Sequence, residues 1–290
     1  MDDNYQEFIP NVNFELIPIE DLTSSQDYQR NISMKHVKRA AEHFDLYQIN
    51  PVKVSRRDGI NYVFNGQHTV EIIALKSGSR KTPVWCMVYN DLVYEHEADI
   101  FANQLKYTRS LSPYEIFMAN IEAGNDKELF IKDIVESYGL KIGASKAPGY
   151  IVAVAALENI FEDFGYDILD STLRVAIGTW EGIPDSLSEG ILKGIALMLC
   201  AYGELFNEEI FKEKLGRVPV KIVTRNAKER GNGTVGMAEY FVIEYNKKMK
   251  GGCLAMIKLY DAEKKRKLQR KMENQQFDAL VKALPTPMSE

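Results

Sequence analysis

The residues best suited to chemistry sit together in one stretch, Asn65-Gly66-Gln67-His68-Thr69, with Glu71 two positions further on. An apolar run, Tyr62-Val63-Phe64, precedes them, and Val70, Ile73 and Ala74 follow at helical spacing. That order reads as strand, turn and helix start. Gly66 permits a turn that a side chain would forbid and lets a ligand approach the backbone. The first turn of a helix has N–H groups without intrahelical acceptors and a partial positive charge, so it offers an anion site suited to phosphate. Thr69 adds a hydroxyl, and Gln67 both a donor and an acceptor. Beside the positive helix end, His68 is disfavoured as imidazolium. As a neutral ring it can hydrogen-bond a ligand or accept a proton. His68 and Glu71 are therefore the candidate catalytic residues. A plain Asn-Gly turn with Thr69 as a helix cap would leave the same local signature.

The elements that must hold this stretch form an N-terminal α/β pattern. Residues 13–20 alternate as a strand, and a polar loop follows. Ser33 is an N-cap candidate for a helix over 33–44, with Val37, Ala40, Ala41 and Phe44 on one face. Residues 51–55 and 61–64 read as strands joined by an Arg-Asp-Gly turn. The helix after Gly66 closes at Gly78, and residues 82–91 are rich in strand formers. Beyond about residue 90 the pattern is helical. The helix over 94–108 is expected to turn Ala98, Phe101, Ala102 and Leu105 inward, and Ser112-Pro113 with Glu115 to open the next. Residues 149–164 read as one apolar core helix, residues 227–236 as a loop, and the tail after about Gln276 as frayed. The expected fold class is α+β, with a mixed α/β domain over 1–108 and an all-α domain over 109–290.

These stations, taken in order, resemble the ParB/sulfiredoxin-like fold, as in the N-terminal domain of chromosome- and plasmid-partition ParB proteins. They are Leu16-Ile17-Pro18-Ile19, Tyr28-Gln29-Arg30, the helix over 33–44, Asn50-Pro51-Val52-Lys53-Val54, the strand, turn and helix of 61–75, and the strand from Thr82. Gly66-Gln67-His68 resembles the "DGQHR" variant of ParB-like phage and mobile-element proteins. The resemblance implies a nucleoside triphosphate, CTP or ATP with magnesium, bound at Gly66, Gln67, His68 and Thr69. Arg30 is implied as a second phosphate contact through its planar fork. A further station resembles Asn103 followed by Leu111-Ser112-Pro113-Tyr114-Glu115, which adds Asn103 and either Lys106 or Arg109. The chain departs from the partition proteins in having no arginine directly after its glycine, and from sulfiredoxins in having no cysteine between residues 60 and 80.

Charge points to a second partner. The chain has net charge −5, yet Arg217–Lys271 holds 15 Lys+Arg against 5 Asp+Glu, which leaves −15 for the remainder. Arg217, Lys221, Arg225, Lys228 and Arg230 are the candidate DNA contacts, with Lys264, Lys265, Arg266, Lys267, Arg270 and Lys271 as a second cluster. Solvated helix faces would give the same composition. A helix-turn-helix over residues 127–160 is disfavoured, because Tyr138–Gly149 is longer than a turn of three or four residues and contains Pro148. Three separated cysteines and an acidic N-terminus without signal-peptide features read as a cytoplasmic protein with reduced thiols. Four histidines without HxxxH spacing imply no metal site, and no run is long enough for a membrane span. The expectation is a nucleotide- or phosphate-binding protein that contacts DNA in a partition- or regulation-like role, with a homodimer left open. The alternatives are an enzyme of the same fold (nucleotide hydrolase, phosphotransferase or nuclease) and a catalytically silent interaction protein.

Overall fold

The structure is a computed structural model that describes residues 10–24, 27–29, 31–104, 106, 108–231 and 233–283, with side chains described as far as 276. Two compact units divide it. One comprises the chain through Arg109 together with the residues from Met272 onward, and the other is Ser110–Lys271.

The first unit is built on a five-stranded sheet. β1 (Val12–Pro18) leads through a 3₁₀ turn to the short β2 (Leu22–Thr23). α1 (Met34–Glu42) begins at Ser33, whose hydroxyl accepts from the His36 N–H. β3 (Val52–Arg57) and β4 (Ile60–Asn65) form a hairpin on the two-residue turn Asp58-Gly59. α2 (Gln67–Ser77) follows β4 after the single residue Gly66, and β5 (Pro83–Tyr89) completes the sheet in the order β1-β5-β3-β4-β2. β5 runs antiparallel to β1 and parallel to β3.

Period-two patterning decides which face is core. Ile17, Val52, Val54, Val63, Val84, Cys86 and Val88 gather on one side, where Val70 and Ala74 of α2 pack onto them. Register places Phe14 against Met87 and Leu16 against Trp85 on the opposite side, and Phe14, Leu16 and Trp85 are exposed there.

α3 (Tyr94–Asn103) departs from expectation. Its buried residue is Glu97, fully enclosed, whereas Ala102 is exposed and Leu105 lies outside the described residues. The inward stripe is Tyr94, Glu97 and Phe101, at i, i+3 and i+7, because partners on the first unit's other elements neutralise the carboxylate.

The second unit is almost wholly helical. α4 (Pro113–Glu122) opens on a complete capping box: Ser112 Oγ accepts from the Glu115 N–H, and Glu115 accepts from the Ser112 N–H at 2.7 Å. α5 (Asp126–Ser137) is followed by β6 (Lys141–Ile142) and β7 (Tyr150–Ile151), a short parallel pair. The apolar run from residue 149 is thus not one helix: its first residues extend β7, and α6 (Val154–Phe164) starts after them. The pair also fills the connection after α5, so no helix-turn-helix forms there.

α7 (Tyr166–Trp180) and α8 (Glu189–Tyr202) pack in the centre, with Leu169, Leu173, Ile191 and Ile195 in a single core. α9 (Glu208–Leu215), α10 (Val220–Arg230), α11 (Gly233–Asn246) and α12 (Met256–Ala283) complete the order. Within the expected loop over 227–236, residues 227–230 end α10 and 233–236 begin α11, because Ala227 is buried in that core and Val235 packs against it. α12 stays helical through Ala283, past the residue where fraying was expected.

Candidate phosphate site and basic helix

α2 begins abruptly. Gly66 adopts φ 99° and ψ 16°, in the left-handed region, and its C=O accepts from the Val70 N–H at 3.0 Å. A Cβ on Gly66 would meet the Val52 Cα at 3.3 Å, so the turn lies close against β3. No side chain caps this helix start. The first turn therefore presents its positive end, with Gln67 buried and His68 and Thr69 partly exposed.

A second helix start comes to the same place. The Ser33 N–H, at the head of α1, donates to His68 Nε2 at 3.2 Å. A ring that accepts at Nε2 carries its proton, when neutral, on Nδ1. His36, in the first turn of α1, meets the His68 ring edge-to-face with centroids 5.4 Å apart. Two positive helix ends thus converge around the His68 ring, an arrangement that favours an anion. The Thr69 hydroxyl makes no hydrogen bond among the described residues.

Neighbouring elements hold the loop on the other side of β4. Gln29 Nε2 donates to the Val63 C=O at 2.6 Å, and the Tyr28 hydroxyl donates to Glu97 at 3.1 Å. Burial, reinforced by the Glu97 carboxylate, pushes the Tyr28 hydroxyl well above its ordinary pKa, so it stays a donor. Glu97 also faces Arg57, whose Nε lies 2.6 Å from Oε1, off-line for a hydrogen bond, while Nη2 reaches Oε2 at 3.4 Å. Arg57 stacks over Tyr62 at 4.1 Å. Arg30, next in this loop, lies outside the described residues.

Other candidates fall as follows. Glu71 gives both carboxylate oxygens to Arg80, at 3.0 and 3.2 Å, so acting as a base would require it to leave that partner. Asn103 is turned back onto Asp99, at 2.9 Å to Oδ1. Its neighbour Gln104, which sequence reasoning missed, accepts from Asn65 directly before Gly66. Arg109 is exposed. Glu97 was also missed, although its spacing with Tyr94 and Phe101 marks an inward position. Among the described residues no group of three or more His, Cys, Asp or Glu could hold a metal ion. Nor is any described helix long and apolar enough to cross a membrane.

In the second unit, α10 buries Val220, Val223 and Ala227 and turns Lys221, Arg225 and Lys228 outward at i, i+4 and i+7. These three cations form no ion pair among the described residues. Arg217 pairs with Glu213 at 2.8 Å, and Arg230 ends α10 exposed. Only residues 216–219 separate α9 from α10. The second basic cluster is partly spent within the fold: Arg266 binds Glu263 and Asp163, each at 2.8 Å, and Arg270 binds Asp163 at 2.5 Å. Those bonds fasten α12 to α6.

Comparison with known proteins gives one family and one structure of note. The model of a family of unknown function (DUF6551) matches residues 24–272. The crystal structure of the C-terminally truncated chromosome-partitioning protein ParB from Caulobacter crescentus, complexed with CTP-gamma-S, is similar at 12% identity and a TM-score of 0.34. That alignment covers 79% of this chain and 99% of the ParB chain. No curated protein matches.

Proposed function

The chain belongs to DUF6551, a family of unknown function, and we propose that it is a nucleotide- or phosphate-binding protein that also binds DNA. The observation that carries the first half is the uncapped start of α2 at Gly66, met by the start of α1 through Ser33 and His68. A phosphate there takes backbone N–H groups from the first turn of α2, the Thr69 hydroxyl, and an Arg30 contact of the kind the sequence resemblance implies. Amides and a hydroxyl suit a phosphoryl oxygen without base chemistry, and Glu71, held by Arg80, is left out of the binding set. The ligand in this reading is a nucleoside triphosphate, CTP or ATP, arriving as its magnesium complex.

The DNA half is supported by α10. A helix, a four-residue connection and a second helix with unpaired outward cations suit a duplex, where Lys221, Arg225 and Lys228 would meet phosphates.

Two titrations of the full chain test the proposal. Calorimetry with CTP, ATP and GTP in magnesium should show saturable binding to one of them, weakened at least about tenfold in His68→Ala and in Arg30→Ala. No binding to any of the three refutes the phosphate site. Anisotropy with a short duplex should show affinity that falls with salt. Replacing Lys221, Arg225 and Lys228 by Gln should reduce the log–log salt slope by about 0.9 for each phosphate no longer neutralised. An unchanged slope removes α10 from the interface.

A further inference from the structure

β1 forms an edge of the first unit's sheet. It pairs with β5 on one side, and no strand among the described residues pairs with the other. The Ile19 N–H donates to the Thr82 C=O at 3.1 Å, which continues the register of Ile17 with Val84. Odd-numbered residues of β1 therefore turn their N–H and C=O toward β5, and even-numbered residues turn theirs outward. Two of the outward positions offer no donor: the Val12 N–H already donates to the Pro10 C=O at 2.9 Å, and Pro18 has no N–H. The donors left on this edge are the N–H groups of Phe14 and Leu16, placed symmetrically about Glu15.

An unpaired edge is a template for another strand, and native edges are commonly blunted by lysine or by short length. β1 has seven residues and neither Lys nor Arg. The side chains at its two donor positions are large and apolar, with Phe14 59% and Leu16 54% exposed. Trp85, across from Leu16 on β5, is 58% exposed and extends the patch. The one charge in the strand, Glu15, points to the other face, where Arg56 holds both carboxylate oxygens at 3.0 and 2.7 Å.

We propose that two copies of the chain pair through β1, antiparallel about a two-fold axis at Glu15, so that their five-stranded sheets join into one. The inference is independent of the phosphate reading. In this register Phe14 of each copy lies opposite Leu16 of the other, and each such pair exchanges both backbone hydrogen bonds. All the outward donors of both strands are then used. The strands also overlap over their whole length, Val12 meeting Pro18. Each Phe14 side chain becomes the cross-strand neighbour of a Leu16, and the apolar patches run on as one strip through the junction. The two Glu15 carboxylates face each other, each already carrying its own Arg56 guanidinium, which offsets their repulsion. A self-complementary patch of this kind makes a closed dimer and no filament. The junction is at the low end of specific interfaces, below roughly 1,200 Å², so the dimer should be weak and reversible, with a Kd of about 10 μM.

Sedimentation of the full chain from about 1 to about 200 μM should show one chain per particle giving way to two. Leu16→Pro removes a donor that does not bond β5, and it should weaken the dimer at least about tenfold. The chain has two tryptophans, so Trp85 emission in a Trp180→Phe background reports whether the sheet of that variant is intact. A crosslink tests the register. With the exposed Cys200 and Cys253 replaced by Ser, Phe14→Cys/Leu16→Cys should oxidise to a covalent dimer, because directly opposite Cα atoms are about 5.5 Å apart. Either single change should not, because its two copies lie on the diagonal, about 7–8 Å apart. One chain per particle at every concentration overturns the proposal. So does a dimer that an intact Leu16→Pro variant forms as tightly, or a crosslink that the single variants form as readily as the double.

Discussion

Replacing Gly66 by Ala tests the turn on which the candidate site depends, and Gly78→Ala supplies the control. Both glycines flank α2 with positive φ, 99° at Gly66 and 71° at Gly78. An L-residue in that region costs about 1 kcal/mol. The two differ in their surroundings. Around Gly78 a new Cβ meets nothing within 4 Å, whereas at Gly66 it meets the Val52 Cα at 3.3 Å and both Val52 methyls at 3.5 Å. Val52 cannot swing aside, because β3 is paired to β4 on one edge and to β5 on the other. Crowding of that kind adds about another 1 kcal/mol. Gly66→Ala should then cost about 2 kcal/mol and Gly78→Ala about 1. Urea unfolding followed by Trp85 fluorescence in the Trp180→Phe background reads the first unit. With an m-value near 1–2 kcal/mol/M, the midpoint should fall about twice as far for Gly66→Ala as for Gly78→Ala. Equal shifts, or a larger one at Gly78, would show that the approach of the turn to β3 is not what holds it.

Two more substitutions probe the charges inside each unit. Glu97→Gln keeps the shape of a fully buried side chain but removes the charge facing Arg57. Truncating one side of a buried pair costs 3–5 kcal/mol, and Arg57, 26% exposed, can recover some hydration, so a loss of about 2 kcal/mol is expected at neutral pH. Thermal unfolding unchanged by the substitution would mean that the pair contributes nothing. In the second unit, burial pushes the Glu263 carboxyl up, but Arg266 and Lys267 outweigh it and hold it below its ordinary value. A depressed carboxylate stabilises fully above the unfolded-state pKa, near 4.3, and the contribution fades as pH falls through the lower folded value. Glu263→Gln should therefore flatten the acid limb of stability below about pH 4.5, and an equally steep limb in the variant would assign acid sensitivity elsewhere.

Much of the local structure was legible in the sequence because its causes are local. Ser33, the Asn-Gly break before α2, Gly78 and the Ser112–Glu115 box each act within one turn of the backbone, and alternation and strand formers marked where the strands lie. The resemblance to the ParB/sulfiredoxin-like fold likewise rested on the order of such local stations. Where packing outweighed pattern, the reading slipped. Residues 150–151 join a strand because β6 is there to pair with them, residues 227–230 and 233–236 are helical because Ala227 and Val235 find a core, and Glu97 points inward because Arg57 and Tyr28 meet it.

The sequence by itself determined that α2 would begin at a turn on Gly66, since one residue type at one position suffices for that. Only the tertiary structure decided what shares the space. It set the Ser33 N–H against His68, drew Asn65 to Gln104, committed Glu71 to Arg80 and Arg266 to Asp163, and left the cations of α10 turned outward. A side chain's neighbours come from residues tens of positions away, and whether a charge is spent inside the fold or left for a ligand depends on those neighbours, not on its place in the chain.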